Sequence, residues 1–361
     1  MSEYIIPIKI ALLSFPFVAM LFTLPFLIYQ YRKHGYINIF RAAVLYSFLL
    51  YLISAYYLVI LPLPKTTDVL SLQRAGTKYT QLIPFNFIAD ILKETKVDIS
   101  KPLTYLHLFR ERAFLQVAFN GILLLPIGAY LHYYFKRNLR QTILIAFCVS
   151  LFFELTQLSG LYGIYNRPYR IFDVDDLIMN TFGGFLGYIL SAILMKVLPN
   201  VSKLDEKVKL EDITVGFIRR SLALGFDWSI FIIIALITRG YFKAYMFVFI
   251  YFILIVYFTN GKTFGKWLLR IKVVGKEERL KFREVLVRYG VLYYAFFGSN
   301  YLIFSCTRID KIADNLIFYL LIFILFLLDL AACFHVTIHF FSKNKKLLHD
   351  KLSGTILKVI K

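Results

Sequence analysis

Between Arg170 and Gly187 the chain reads R-I-F-D-V-D-D-L-I-M-N-T-F-G-G-F-L-G, placing Arg170, Asp173, Asp175, Asp176 and Asn180 close together before apolar sequence takes over. Three carboxylates beside a guanidinium can orient a charged group, move a proton or hold a cation. Part of this has a simpler use. Asp173 is placed to cap a helix with Asp176 at its third position, where acids contribute roughly 0.3–1 kcal/mol each. Capping accounts for one or two of the acids and leaves the third acid, the arginine and the deeper asparagine.

Other polar groups interrupt apolar sequence upstream. Asn120 precedes G-I-L-L-L-P-I-G, and Glu154 and Gln157 stand one turn apart in F-F-E-L-T-Q-L. Such groups are costly in hydrocarbon unless they face partners, water or a ligand. Asn86 lies in Q-L-I-P-F-N-F-I-A-D-I-L (81–92), which is too short to span and reads as an interfacial or re-entrant helix. Asn86 either caps that helix or joins the site.

The elements that must position these groups are membrane helices. The 361 residues are 59% hydrophobic and 18% aromatic, with mean hydropathy +0.66. Nine stretches (5–31, 42–61, 113–135, 141–160, 174–196, 221–238, 241–259, 285–305 and 313–341) approach the roughly 20 apolar residues that cross about 30 Å of hydrocarbon. The predicted fold is all-α, a polytopic transmembrane helix bundle. The first span lacks a small-x-small site before Gln30 and reads as a retained helix.

With the N-terminus outside, 27 of the 42 Lys and Arg fall on the five inner segments, and the C-terminus is cytoplasmic. The net charge of +20 is then an anchor pattern that attracts anionic headgroups. Its spread over five loops argues against nucleic-acid binding. Cys148, Cys306 and Cys333 lack CxxC or metal spacing and read as packing residues, so neither a metal nor a cofactor is expected.

Counted at about 1.5 Å per residue from the outer span ends, Asn120, Glu154 and Asn180 lie at one depth, about 10 Å below the surface. The expectation is a polar cavity opening outward between the third, fourth and fifth spans. Gln157 lines it, while Arg167 or Arg170 and the three aspartates stand above. Asp176, Asn180, Gly184 and Gly187 form one stripe, and Gly183 with Gly187 makes a small-xxx-small pair suited to close helix approach.

The polar stretch 197–215 marks a boundary, dividing the chain into a first domain 1–198, a linker 199–214 and a second domain 215–361. In the second, Arg220 and Asp227 are two turns apart on one face, and Asp350 is within reach of Arg220 as a structural salt bridge or a binding element. The loop N-G-K-T-F-G-K-W-L-L-R-I-K-V-V-G (260–275) has Val256 where a phosphate loop needs glycine, which excludes nucleotide binding. Alternation in R-I-K-V-V predicts a short strand that pairs with the C-terminal segment 345–359 as a small cytoplasmic hairpin.

Residues about 45–195 resemble the VanZ family in I-P-F-N (83–86), N-G-I-L-L-L-P-I-G (120–128), F-E-L-T-Q-L (153–158) and R-I-F-D-V-D-D-L-I-M-N-T-F-G-G-F-L-G-Y (170–188). Residues about 214–360 resemble the RDD family, whose arginine and two aspartates correspond to Arg220, Asp227 and Asp350. The first resemblance implies a bacterial inner-membrane protein associated with lowered susceptibility to lipoglycopeptides such as teicoplanin. The second implies no agreed activity, with cation/proton exchange proposed for some members.

The expected function is therefore non-enzymatic binding of an envelope lipid, a lipid-linked cell-wall intermediate or a lipoglycopeptide acyl tail in the outward pocket. Arg170 would meet an anionic headgroup and the aspartates would orient it. The alternatives are a lipid-headgroup enzyme using Glu154 or Asp176 as acid/base or holding a divalent cation, and an ion-coupled transporter using Asp227. Against the enzyme, no histidine and no nucleophile–base pair lies near the site.

Overall fold

The computed structural model describes residues 2–74, 76–98, 100–206, 208–306, 316–342 and 345–360, without the side chains of 2–4, 103, 211, 304 and 306. Expected residues 313–315 of the last span and the Cys306 side chain fall outside that set.

The chain is a helical membrane bundle. Seven helices among the described residues are long and apolar enough to cross a bilayer: Ile5–Lys33, Ile39–Ile60, Arg112–Tyr133, Leu139–Leu158, Val174–Val197, Phe217–Ile237 and Leu316–Phe341. The sequence reading expected nine. The two remaining stretches are helical but interrupted. Ala244–Phe258 contains a π-helical stretch at Val248–Ile255, and a second one, Gly290–Gly298, separates helices Phe282–Tyr289 and Ser299–Cys306. The widened turns accommodate large rings: Phe252 of the first packs on Tyr293 of the second, with centroids 4.7 Å apart.

Two compact units divide the chain: Met1–Thr23 with Asn38–Lys207, and Leu24–Ile37 with Val208–Lys361. In the first, we label α1 Ile39–Ile60, α2 Asn86–Glu94, α3 Arg112–Leu123, α4 Leu125–Tyr133, α5 Leu139–Leu158 and α6 Val174–Val197. Asn138 and Gln141 form a capping box that starts α5. Pro126 cannot continue an α-helical ladder, so the third expected span breaks at Leu124 into α3 and α4. Ala55, Leu124, Ile127, Leu131, Ala146 and Phe153 form the core among α1, α4 and α5.

Helix α6 lies against α3, α4 and α5, and glycine permits the approach. A Cβ on Gly187 would sit 1.9 Å from the Leu125 carbonyl oxygen, and one on Gly128 would sit 1.9 Å from that of Gly184. The small-residue stripe thus packs helix backbone on helix backbone. At the other end of this unit, Thr80–Gln81 pairs in parallel with Phe172–Asp173, a contact the sequence did not announce. It ties the long 62–112 connection to the start of α6.

In the second unit, Ile271–Val274 pairs antiparallel with Ile356–Val359, Ile271 opposite Val359 and Val274 opposite Ile356, as the alternation predicted. Residues 24–37, assigned to the first domain from linear order, pack here: Tyr31 joins Val215, Ala223, Leu269 and Ile271 in a shared core. A larger aromatic core of Phe247, Tyr251, Phe252, Tyr289 and Tyr293 fills the rest.

Candidate functional site

The first two turns of α6 build the site. Asp173 adopts extended backbone as N-cap and accepts from the Asp175 N–H at 2.9 Å, as its position predicted. Asp175 points back to the long connection, accepting from the Phe85 N–H at 2.6 Å and the Phe87 N–H at 2.9 Å. It therefore caps α2 from another element, beside Phe85 in the left-handed conformation at φ 64°. Asn86 performs neither of its expected roles. Its side chain donates to Asp90 at 3.0 Å on the helix surface, because Asp175 already satisfies the orphan amides.

Asp176 turns inward and accepts from Asn120 Nδ2, joining α6 to α3. Glu154 on α5 is 3% exposed and accepts from the Asp173 N–H at 3.0 Å. One turn below each acid lies an amide or hydroxyl. Asn180 Nδ2 donates to Ser150 Oγ at 3.0 Å, and Ser150 Oγ donates to the Asp176 carbonyl at 3.4 Å. Ser150 escaped the sequence reading, although its place four residues before Glu154 puts it on the same helical face.

The predicted polar level thus exists as a ladder linking α3, α5 and α6. Asp173 is half-buried: burial pushes its carboxyl above the ordinary aspartate value, and the charges of Asp175 and Asp90 push the same way against its amide bond. Gln157 is buried but faces elsewhere, donating to the Val59 carbonyl at 2.8 Å.

The arginines depart most from expectation. Arg170 Nη1 and Nη2 donate to the carbonyls of Val59 and Leu61, both at 2.9 Å, so its guanidinium closes the C-terminal end of α1. Arg167 is exposed. A groove of about 410 Å³ lies beside the ladder, lined by Phe152, Leu155, Thr156, Leu158, Ser159 and Tyr162. It contains none of the expected site residues, because it occupies the face of α5 turned away from Glu154.

In the second unit, Asp227 is 1% exposed. It accepts from Tyr251 Oη at 2.8 Å, Thr263 Oγ1 at 2.7 Å and the Gly265 N–H at 2.7 Å, with Lys266 Nζ at 3.7 Å. Arg220 instead reaches Asp350 at 2.9 Å, as expected, and Arg288 approaches the other carboxylate oxygen at 2.5 Å. Burial alone would raise Asp350, but Arg288, His349 and Arg220 together hold it below the ordinary aspartate value. Burial, and then Arg288, push His349 down to about 4.

Arg219, Lys266 and Arg288 were missed. Arg219 donates to the carbonyls of Gly35, Leu269 and Arg270 and stacks on Tyr31 at 4.4 Å. Only its neighbour Arg220 had a spacing that stood out.

Fold and site together define a polytopic helical membrane protein with one polar cluster in each of two units. Its lineage is composite: residues 48–196 match the VanZ/LLP1 family and residues 214–354 match the RDD family, in tandem. The same comparisons found no matching curated protein and no matching solved structure.

Proposed function

We propose that the chain is a binding protein of the bacterial inner membrane. Its VanZ-like unit would recognise the polar head of an envelope lipid, a lipid-linked cell-wall intermediate or a lipoglycopeptide at Glu154, Asp173 and Asp176, beneath α2. One observation carries this reading. Among the described residues, none of Glu154, Asp173, Asp175 and Asp176 has a Lys, Arg or His within ion-pair distance. Acids at a membrane boundary held only by amides keep a demand for a partner, and such groups mark ligand paths.

In this reading the chain crosses nine times with its N-terminus outside and its C-terminus cytoplasmic, which puts the ladder on the envelope side. Support comes from how the loops gather. In the first unit the expected outer loops 62–112 and 161–172 meet, Asn166 accepting from the Val69 N–H at 2.9 Å. In the second, three expected inner segments meet through Gly35, Arg219, Leu269 and the Ile271–Val359 pairing.

The test is protection. In a teicoplanin-susceptible host expressing the chain, Glu154→Gln and Asp176→Asn should each lower the tolerated antibiotic concentration at equal membrane abundance. Full protection by both variants would sink the reading.

A second reading rests on Asp227 and Lys266, a buried acid and base 3.7 Å apart that suit ion-coupled transport. Proton flux in vesicles that Asp227→Asn abolishes would favour it.

A further inference from the structure

The charge balance of the ladder bears on which part of a ligand it takes. This inference rests on the binding reading above. Glu154, Asp173, Asp175 and Asp176 gather at the outer end of α5 and α6, and Asp90 of α2 adds its charge toward Asp173. The cation whose charge reaches Glu154 and Asp176, Arg170, has two guanidinium nitrogens committed to the carbonyls of Val59 and Leu61. Arg170 is therefore placed to hold the end of α1. A phosphate brought to this mouth would meet four carboxylates against one guanidinium that already holds two backbone carbonyls.

A second observation lies one turn deeper. Asn180, 3% exposed, has an amide oxygen with no hydrogen-bond partner. Its orientation follows from the network. With Ser150 Oγ donating to the Asp176 carbonyl and Asn180 Nδ2 donating to Ser150 Oγ, Oδ1 is left as an unmet acceptor. Asn180 is one turn below Asp176 on α6, and its partner Ser150 is one turn below Glu154 on α5. The unmet oxygen therefore belongs to the turn just below the two carboxylates. Buried acceptors of this kind are rare and call for a donor.

Every group offered here is an acceptor or an anion, so the complement is a cationic donor. Among the described residues no three His, Cys, Asp or Glu side chains converge to hold a metal ion. A primary ammonium matches this set in kind and number, with three N–H donors for the acceptors of Asp176, Glu154 and Asn180.

We propose that the VanZ-like unit takes its ligand by a primary ammonium group, with Asp176 and Glu154 supplying the counter-charge and Asn180 Oδ1 accepting the deepest N–H. An aminated lipid headgroup and a free amine share this chemistry, and the bilayer setting favours neither by itself.

The test uses the full-length chain in nanodiscs of phosphatidylcholine, titrated with fluorescent short-chain phosphatidylethanolamine, its N-acetylated form, phosphatidylglycerol, and ethanolamine as competitor. The expected result is saturable binding of phosphatidylethanolamine at least tenfold tighter than either lipid lacking the ammonium. Asp176→Asn should remove most of that preference, bringing phosphatidylethanolamine close to its N-acetylated form. Competition by ethanolamine at millimolar concentration would identify a free amine as sufficient, and no competition would assign the whole aminated lipid; both support the ammonium.

Saturable binding in which phosphatidylglycerol or the N-acetylated lipid equals phosphatidylethanolamine overturns the ammonium proposal and leaves the lipid-binding reading standing. Saturable binding of none of the lipids and no effect of ethanolamine on protein melting also overturns the ammonium proposal, while the binding reading stands or falls on the protection assay. The lipid comparison is made on the unaltered protein, so misfolding of a variant cannot decide the outcome.

Discussion

Asp175 caps a helix that begins ninety residues before it in the sequence, through the amides of Phe85 at 2.6 Å and Phe87 at 2.9 Å. The start of α6 and the roof above it are thus one mechanical piece. Hydrogen bonds to a charged acceptor are worth about 1.5–3 kcal/mol. Asp175→Ala should therefore loosen α2 selectively. Hydrogen exchange at residues 86–94 should accelerate by tenfold or more while 174–197 stays protected. Equal protection in the variant would show that the roof is held by its own packing.

Glycine at the α4–α6 contact should be irreplaceable while Gly225 is not. Gly187→Ala puts a carbon 1.9 Å from the Leu125 carbonyl, and the helices must separate, at a cost of several kcal/mol. Gly225, with nothing within 4 Å of its added carbon, should accept alanine without loss. Melting curves in detergent distinguish the two.

The carboxylate of Asp350 is held by two arginines, and removing one should hurt more than removing the pair's acid along with it. Arg288→Met is expected to cost about 3 kcal/mol or more, because it breaks a buried ion pair. Adding Asp350→Asn should recover part of that loss, leaving a negative coupling energy in a double-mutant cycle.

His349 sets the acid limit of the RDD unit. Unfolded, its imidazole takes up a proton near the ordinary value of 6.5; folded, it resists until about 4. Between those values the unfolded state binds more protons, so stability falls as pH falls, by at most about 1.4 kcal/mol per pH unit. Asp350, lowered by its arginines, adds a loss of the same sign below 3.8. Thermal unfolding from pH 8 to pH 4.5 should reveal the decline, and His349→Gln should flatten its upper part.

Sidedness can be read chemically. With Cys148, Cys306 and Cys333 replaced, a cysteine at Asp98 should react with an impermeant maleimide on intact spheroplasts, and one at Glu278 only after lysis. The reverse pattern would turn the ladder toward the cytoplasm.

Much of this molecule was legible in its sequence, for identifiable reasons. Hydrophobic length revealed the helices, and period-two alternation revealed Ile271–Val274 and the C-terminal hairpin that puts Asp350 within reach of Arg220. Membrane cost drew attention to Asn120, Glu154 and Asp176. What stayed hidden depended on backbone groups, which carry no letter. Arg170 looked like a ligand residue because its targets, the carbonyls of Val59 and Leu61, belong to every residue alike. Asp175 looked like a spare acid because its amides lie in a distant loop. The interrupted spans were read as continuous because π turns change hydrogen bonding and not composition.

The surroundings of Asp227 bear on how the chain is made. Tyr251, Thr263 and Gly265, which satisfy its carboxylate, are all synthesised after the helix Phe217–Ile237 that carries it. An unpartnered aspartate at mid-helix opposes membrane insertion by about 3 kcal/mol. The nascent helix therefore carries that cost until Gly265, 28 residues beyond Ile237, has been made, and its apolar neighbours must offset it in the meantime.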